Sequence, residues 1–440
     1  MNRITNFTKS IDIQQRLHKL VPAGSHTYSK GEDQFPQQSP QIMSHAKGAY
    51  CWDIDGNRFL DWAMGNRISV LGHAYPAVNE AVKKQIDLGT NFTRPGILEY
   101  ELAEYLVDFW PCAEMVKFGK NGSDVTTAAI KLARAYTGRK YIAVCKEHPF
   151  FSVHDWFIGS TLCDAGVPEE IRNLTLKFSY NNISSVEALF NQYPNQIAAL
   201  ILEPVKNDQP ADNFLEKLNE ITNKNGTLLI FDEMISGLRF DLKGAHHLYG
   251  VYPDMATFGK AIANGYACSV LAGRKDILEL GGLHHNKPRV FLLSQTHSSE
   301  TVGLAATLAT LKECQRINVT NYISQIGNKL VEGINQIAKD ENMDSYVRMI
   351  GFNCNPQLLC TTKDGTYWPE LHTSFHEEVI ANGVLIPWIS ITYSHNDKEL
   401  EITFEAVRSG VRKIKKALEN DNVRDSFVGD AVKPVFRKYN

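Results

Sequence analysis

Along this chain the apolar positions switch between two periods, and the switching marks the elements. Over 49–62 they alternate singly around Asp55-Gly56, which predicts a hairpin closed by a glycine turn. From residue 76 the period lengthens. Segments 76–88, 97–109 and 125–136 each gather apolar residues on one helical face, the third opened by a Gly-Ser-Asp turn. Short unbroken apolar runs follow at 141–145, 197–202, 227–231 and 255–258. Each has the length of a strand buried on both faces, and helical patterns lie between most of them. The alternation predicts an α/β fold with a mostly parallel sheet. Segment 301–315 reads as a long helix leading out of it, and 398–418 as a helix of a mixed C-terminal part. The expected organisation is an N-terminal segment and hairpin (1–65) contributing to a small lobe, a large domain (66–310) and a smaller α+β domain (311–440).

Composition narrows this picture. A chain of 440 residues exceeds one ordinary core. With 43% apolar and 22% charged residues it matches soluble globular enzymes. A net charge of −3, with lysines and arginines dispersed, argues against nucleic acid or an acidic membrane surface as partner. Residues 1–15 hold no apolar signal core, and no run approaches the roughly 18 apolar residues of a membrane span. The expected location is the cytoplasm. Eight scattered cysteines (Cys51, Cys112, Cys145, Cys163, Cys268, Cys314, Cys354 and Cys360) form no C-x-x-C pair and read as free thiols.

Several familiar signatures are absent. Asp53-Ile-Asp-Gly56 begins like a calcium loop, but Met64 occupies its twelfth position, so the hairpin turn is preferred. The pairs His246-His247 and His284-His285 are sequence neighbours that point apart, so no metal site is expected. No Walker loop, G-x-S-x-G or H-E-x-x-H occurs.

Three local features carry chemistry. The run ending in Phe231-Asp232-Glu233 delivers a carboxylate at the C-terminal end of a strand, the edge where open α/β sheets bind ligands. Alone it equally suits a surface cap. Gly259-Lys260-Ala-Ile-Ala263 places a lysine after the next strand, between a glycine and an apolar run. Such a lysine is either solvated or, if buried, a Schiff-base nucleophile. Asn121-Gly122-Ser123-Asp124 opens a helix, as an ordinary N-cap does and as a phosphate site does. Together, a phosphate-binding helix start, a carboxylate and a lysine make a pyridoxal phosphate (PLP) site. The lysine holds the cofactor and shuttles a proton, while Asp232 keeps the pyridine nitrogen protonated.

These residues sit in a wider pattern. Ala46-Lys-Gly-Ala-Tyr-Cys-Trp-Asp-Ile-Asp-Gly-Asn, Val70-Leu-Gly-His-Ala-Tyr-Pro, Ala129-Ile-Lys-Leu-Ala-Arg-Ala-Tyr-Thr-Gly-Arg, Leu202-Glu-Pro-Val, Leu229-Ile-Phe-Asp-Glu and Phe258-Gly-Lys resemble the class III (fold-type I) PLP aminotransferases, in particular the subgroup like glutamate-1-semialdehyde aminomutase. The resemblance runs from residue 21 to about 417. It implies that Lys260 is the Schiff-base lysine and that Asp232 pairs with the ring nitrogen. Met234 and Phe150 would pack on the two ring faces, and Gly122 and Ser123 would bind the phosphate. Glu203 takes the place of a carboxylate near the cofactor. Thr296 would reach the phosphate of a neighbouring subunit, which implies a homodimer with shared active sites.

Departures from the subgroup cluster on the expected substrate side. Phe150-Phe151-Ser152 stands for Tyr-His-Gly, Lys30 for an arginine, Arg67 for part of a Trp-Gly pair, and Ile386-Pro387-Trp388-Ile389 for Phe-Glu-Ala-Gly. Lys30, Arg67 and Trp388 are therefore the candidate substrate-binding residues. Arg67 suits a substrate carboxylate or phosphate, or equally a structural ion pair. The expected activity is amino transfer between an amino donor and an aldehyde or ketone, such as a sugar-like biosynthetic intermediate. The alternatives are an aminomutase or racemase on the same scaffold and, remotely, a non-catalytic binding protein.

Overall fold

The computed structural model describes residues 3–439. The chain divides into two compact units, one built from residues up to Tyr75 with Asn321–Val435, the other from Pro76–Thr320 with the segment beginning at Phe436. The changeovers fall at these residues rather than at 65 and 310. The Thr301–Ile317 helix does not stop at 310, and its buried residues Leu304, Ala306, Leu311 and Cys314 continue its packed face past that point.

The Pro76–Thr320 unit is built on seven strands: β1 (Met115–Gly119), β2 (Tyr141–Cys145), β3 (Thr175–Phe178), β4 (Ile197–Leu202), β5 (Leu228–Asp232), β6 (Met255–Phe258) and β7 (Ser269–Gly273). Their spatial order is β1-β7-β6-β5-β4-β2-β3. From β6 to β3 the pairings are parallel, and β7 runs antiparallel to both its neighbours. The unbroken apolar runs have a simple cause. Ile142, Val144, Ala199, Ile201 and Ile230 point into one core cluster with Val125, Ala129 and Leu132 of the Gly122–Thr137 helix. The alternate residues Ala143, Cys145, Leu200, Leu202, Leu229 and Phe231 point into a second, with Phe214 and Leu218. Both faces are covered, so neither alternates to polar. Strands β1, β3 and β7 were not expected, the helix begins at Gly122 rather than 125, and β5 extends to Asp232 itself.

In the other unit, Met43–Lys47, Tyr50–Asp53 and Arg58–Asp61 form an antiparallel sheet, joined in parallel by Val384–Leu385. The Asp53 carboxylate closes the expected hairpin turn, accepting from Asn57 N–H at 2.8 Å and Asn57 Nδ2 at 2.7 Å. A second hairpin, Val347–Phe352 with Asn355–Cys360, and the helices Pro369–Ala381 and Asp397–Glu419 complete the unit. Its Trp62 is fully buried, stacked on His395 at 4.0 Å, and donates to Thr403 Oγ1 at 2.8 Å.

Candidate active site

The parallel register brings the chemical groups to one edge. Leu202 pairs with Phe231 and Asp232 with Thr257, so Glu203 leaves β4 level with Asp232, and Lys260 follows shortly after β6. Asp232 is buried, and its Oδ1 accepts from Met234 N–H at 2.9 Å. Burial pushes its carboxyl up to about 7; Glu203 adds to the rise and Lys260 opposes it. Burial acts on Glu203 in the same direction. Lys206, whose Nζ lies 2.7 Å from Oε1, outweighs it with His148 and Lys260, holding Glu203 below the usual carboxylate range. Glu203 N–H donates to His148 Nδ1 at 3.0 Å, and burial lowers that imidazole to about 4, so it stands as a neutral acceptor.

Lys260 opens a short 3₁₀ turn with φ 49°, left-handed for a residue with a Cβ. Such a conformation costs about 1–3 kcal/mol and persists where surrounding structure imposes it. The three residues after it, Ala261, Ile262 and Ala263, are all buried. A cradle lies beside it. A Cβ on Gly259 would fall 2.5 Å from Met234 Sδ, and one on Gly122 would fall 3.1 Å from the same atom. The Met234 thioether therefore occupies space that two glycines leave open, which brings Gly122, Met234 and Gly259 together.

The Gly122–Thr137 helix start is capped from within: Asp124 Oδ2 accepts from Lys120 N–H (3.0 Å) and Asn121 N–H (2.8 Å). Gly122 and Ser123 come next, where no earlier turn supplies an acceptor to the backbone. Ser123 Oγ accepts from Val153 N–H at 3.0 Å, and Thr126 Oγ1 donates to Phe151 O at 2.9 Å. These bonds pin the 150–153 loop along the first turn. Phe151 points inward, whereas Phe150 is 44% exposed and meets Phe157 edge-on at 5.9 Å. Thr296 lies on an exposed loop; its carbonyl accepts from Asn91 Nδ2 at 3.0 Å, and the preceding Gln295 donates to Asp124 Oδ1 at 3.0 Å.

Lys30, Arg67 and Trp388 belong to the other unit. Met64, Gly65, Asn66 and Arg67 all have positive φ (46°, 58°, 78° and 65°), one turn of left-handed helix. Arg67 N–H to Ala63 O (3.0 Å) and Ile68 N–H to Met64 O (3.1 Å) close it. Asn66 Nδ2 donates to Ser29 Oγ at 2.7 Å, which ties the turn to the exposed Lys30 segment. Arg67 Nε donates to Ile389 O at 3.2 Å, next to Trp388, whose ring meets Phe35 edge-on at 5.7 Å. The three residues thus lie on linked segments. Trp388 Nε1 is buried with no hydrogen-bond partner.

Sequence reasoning missed Lys206 and His148. A lysine three residues after a strand-end glutamate was the available signal. The groups gathered at the sheet edge fit PLP: a lysine, a buried carboxylate that favours a cationic partner, a helix start, and a glycine-lined gap filled by a soft side chain.

Comparisons with known proteins agree. Residues 32–418 match the model of the class-III aminotransferase family. The chain is 29% identical over 420 residues to a 3-aminobutyryl-CoA aminotransferase of Cloacimonas acidaminovorans, covering 93% of this chain and 98% of the relative. It is 30% identical over 423 residues to a glutamate-1-semialdehyde 2,1-aminomutase of Francisella philomiragia, covering 90% and 96%. Among solved structures, FumI of Sphingopyxis sp. MTA144 in its PLP internal aldimine form superposes with a TM-score of 0.85 at 23% identity, covering 94% of this chain and 98% of that one. An omega-transaminase of Sphaerobacter thermophilus gives 0.83 at 24% identity, covering 92% and 97%.

Proposed function

Because this chain belongs to the class-III aminotransferases, PLP-dependent enzymes that move an amino group from a donor to a carbonyl acceptor, we propose a role for each residue of the site. Lys260 is the amine that would hold the cofactor and would move a proton at the carbon whose bond is broken. Asp232 lends its carboxylate to the pyridine nitrogen and keeps the proton there. Gly122 and Ser123 bind the phosphate through backbone N–H and hydroxyl, Met234 and Phe150 pack on the ring faces, and Glu203 adds a second carboxylate beside them. Bound there, the cofactor supplies an electron sink for the bond being broken. Arg67 and Lys30 receive a negatively charged part of a polar aldehyde or ketone, and Trp388 adds an apolar wall with an N–H to donate. In this reading the Pro76–Thr320 unit carries the cofactor, while the unit that holds Lys30, Arg67 and Trp388 carries specificity.

The protein acts as a homodimer in which Thr296 serves the neighbouring site. It works in the cytoplasm, a reading that eight unpaired cysteines support. The observation that carries the assignment is the register: Asp232 ends β5 and Lys260 follows the neighbouring buried β6 by two residues, beside a glycine-lined helix start.

The test follows the cofactor and the oxo product. With a simple amino donor the absorbance should pass from the lysine-bound to the amine form of the cofactor, with one free oxo-acid released per site. Lys260→Ala should keep the fold and lose turnover by at least about 100-fold. Turnover at a normal rate in that variant rules out the assignment. One relative is an aminomutase, and that reading is favoured instead if no donor releases an oxo-acid while an amino group migrates within one substrate.

A further inference from the structure

The site holds one more charge than the reaction as assigned requires. Lys206 follows β4 by four residues, its side chain only 12% exposed, with Nζ 2.7 Å from Oε1 of Glu203, itself 6% exposed. Glu203 is fixed on its backbone side by His148 and stands level with Asp232. Two carboxylates, Asp232 and Glu203, and two ammonium groups, Lys206 and Lys260, therefore share one sheet edge and act on one another. A buried carboxylate without its partner would leave an uncompensated charge there. Other titratable groups around this edge include His148, Glu147 and Cys145 from the end of β2 and the loop after it, and Tyr180 after β3, with Tyr249 and Asp208 beside Tyr180. Burial keeps His148, Cys145 and Tyr180 neutral near pH 7. Glu147 is a peripheral anion that caps Tyr180 N–H at 2.9 Å. Glu203, paired with Lys206, is thus one of two carboxylates that act on Lys260 at this edge.

We propose that Lys206 is a positioning residue which, by neutralising Glu203, sets the pH at which the linkage between Lys260 and the cofactor takes up its proton. This rests on the reading of Lys260 as the cofactor-bearing amine. The protonated linkage is a cation, so Glu203 favours it and Lys206 opposes it. Lys206→Gln removes the opposing charge and raises the midpoint. Glu203→Gln removes the favouring charge and lowers it. The two effects are opposite in sign and cancel in the double variant.

The experiment is a pH titration of the visible absorbance of the holoenzyme and its variants. Lys206→Gln should raise the midpoint by about one pH unit and Glu203→Gln lower it by about as much. The double variant and Lys206→Arg should stay within a few tenths of the parent. A midpoint unmoved or lowered in Lys206→Gln overturns the proposal, as do single variants that shift in the same direction. Should Lys206→Gln fail to load cofactor, a lowered midpoint in Glu203→Gln with an unchanged one in Lys206→Arg supports the proposal, and any other pattern overturns it. If the parent shows no visible band that Lys260→Ala abolishes, the lysine reading itself fails, and the proposal fails with it. A normal band whose midpoint ignores Lys206 removes the proposal alone.

Discussion

Asp232 carries opposite consequences for the empty and the loaded protein. Its carboxyl is pushed up to about 7 chiefly by burial, from an ordinary value near 4. Between those two pH values the unfolded chain has released the proton while the folded, cofactor-free protein keeps it. Folding is then opposed by deprotonation, and the contribution of Asp232 to stability falls as pH rises from about 4 to about 7. Cofactor-free protein should therefore melt progressively lower across that window. Asp232→Asn, which has no charge to bury, should flatten the decline. The loaded enzyme should show little of it, because a cationic ring nitrogen compensates the carboxylate. Thermal melts of all three between pH 4.5 and 7.5 make the check, and an identical decline in Asp232→Asn assigns the effect elsewhere. The same variant should bind cofactor yet turn over far more slowly, since its amide cannot hold the ring nitrogen protonated.

At the scale of elements, the turn over residues 64–67 sets four consecutive residues in left-handed backbone. Each residue with a Cβ costs roughly 1–2 kcal/mol in that conformation, and three of the four have one. Strain of this kind persists where it fixes a side chain, and the side chain fixed here is Arg67. Arg67→Ala should raise KM for an anionic acceptor about 10- to 100-fold, the loss of a charged hydrogen bond, with kcat nearly unchanged. Equal losses in kcat and KM, or an effect on melting alone, would make Arg67 structural.

Gly65 and Asn66 visit left-handed backbone readily but Met64 and Arg67 do not, so Met-Gly-Asn-Arg announced at most half of this turn. The β2, β4 and β6 runs were legible because both faces of each strand are buried, leaving uninterrupted apolar residues. β1 carries the exposed Lys117 and β7 ends in Gly273, so neither shows such a run. Asp232 and Lys260 were legible as strand-end residues. Lys206 was not, since its partner lies three residues back around a proline, a spacing common on solvated surfaces.

At the scale of the molecule, the question is which subunit's Thr296 serves which cofactor. The Pro76–Thr320 unit exposes Leu88, Phe92, Ile97 and Tyr100, large apolar side chains of the kind that subunit interfaces cover. Yet Gln295 bonds to Asp124 of its own chain, so Thr296 stands one residue from its own helix start. A mixed dimer separates service to the neighbour from service to its own site. Consider one subunit carrying Lys260→Ala and its partner carrying Thr296→Ala. If Thr296 serves the neighbour, both lesions fall in one site, and the other combines an intact lysine with an intact threonine. That site should bind cofactor as tightly as the parent. If Thr296 serves its own site, the only site with a lysine lacks its threonine, and affinity should drop about 10-fold, the worth of one hydrogen bond to a charged phosphate. Differential tagging isolates the hybrid, and titration of the visible band reads its affinity. Because the lysine-bearing subunit alone yields the band, the measurement reports a single site. We expect parental affinity in the hybrid and a roughly 10-fold loss in the Thr296→Ala homodimer. A loss in the hybrid as large as in that homodimer would show that the active sites are not shared.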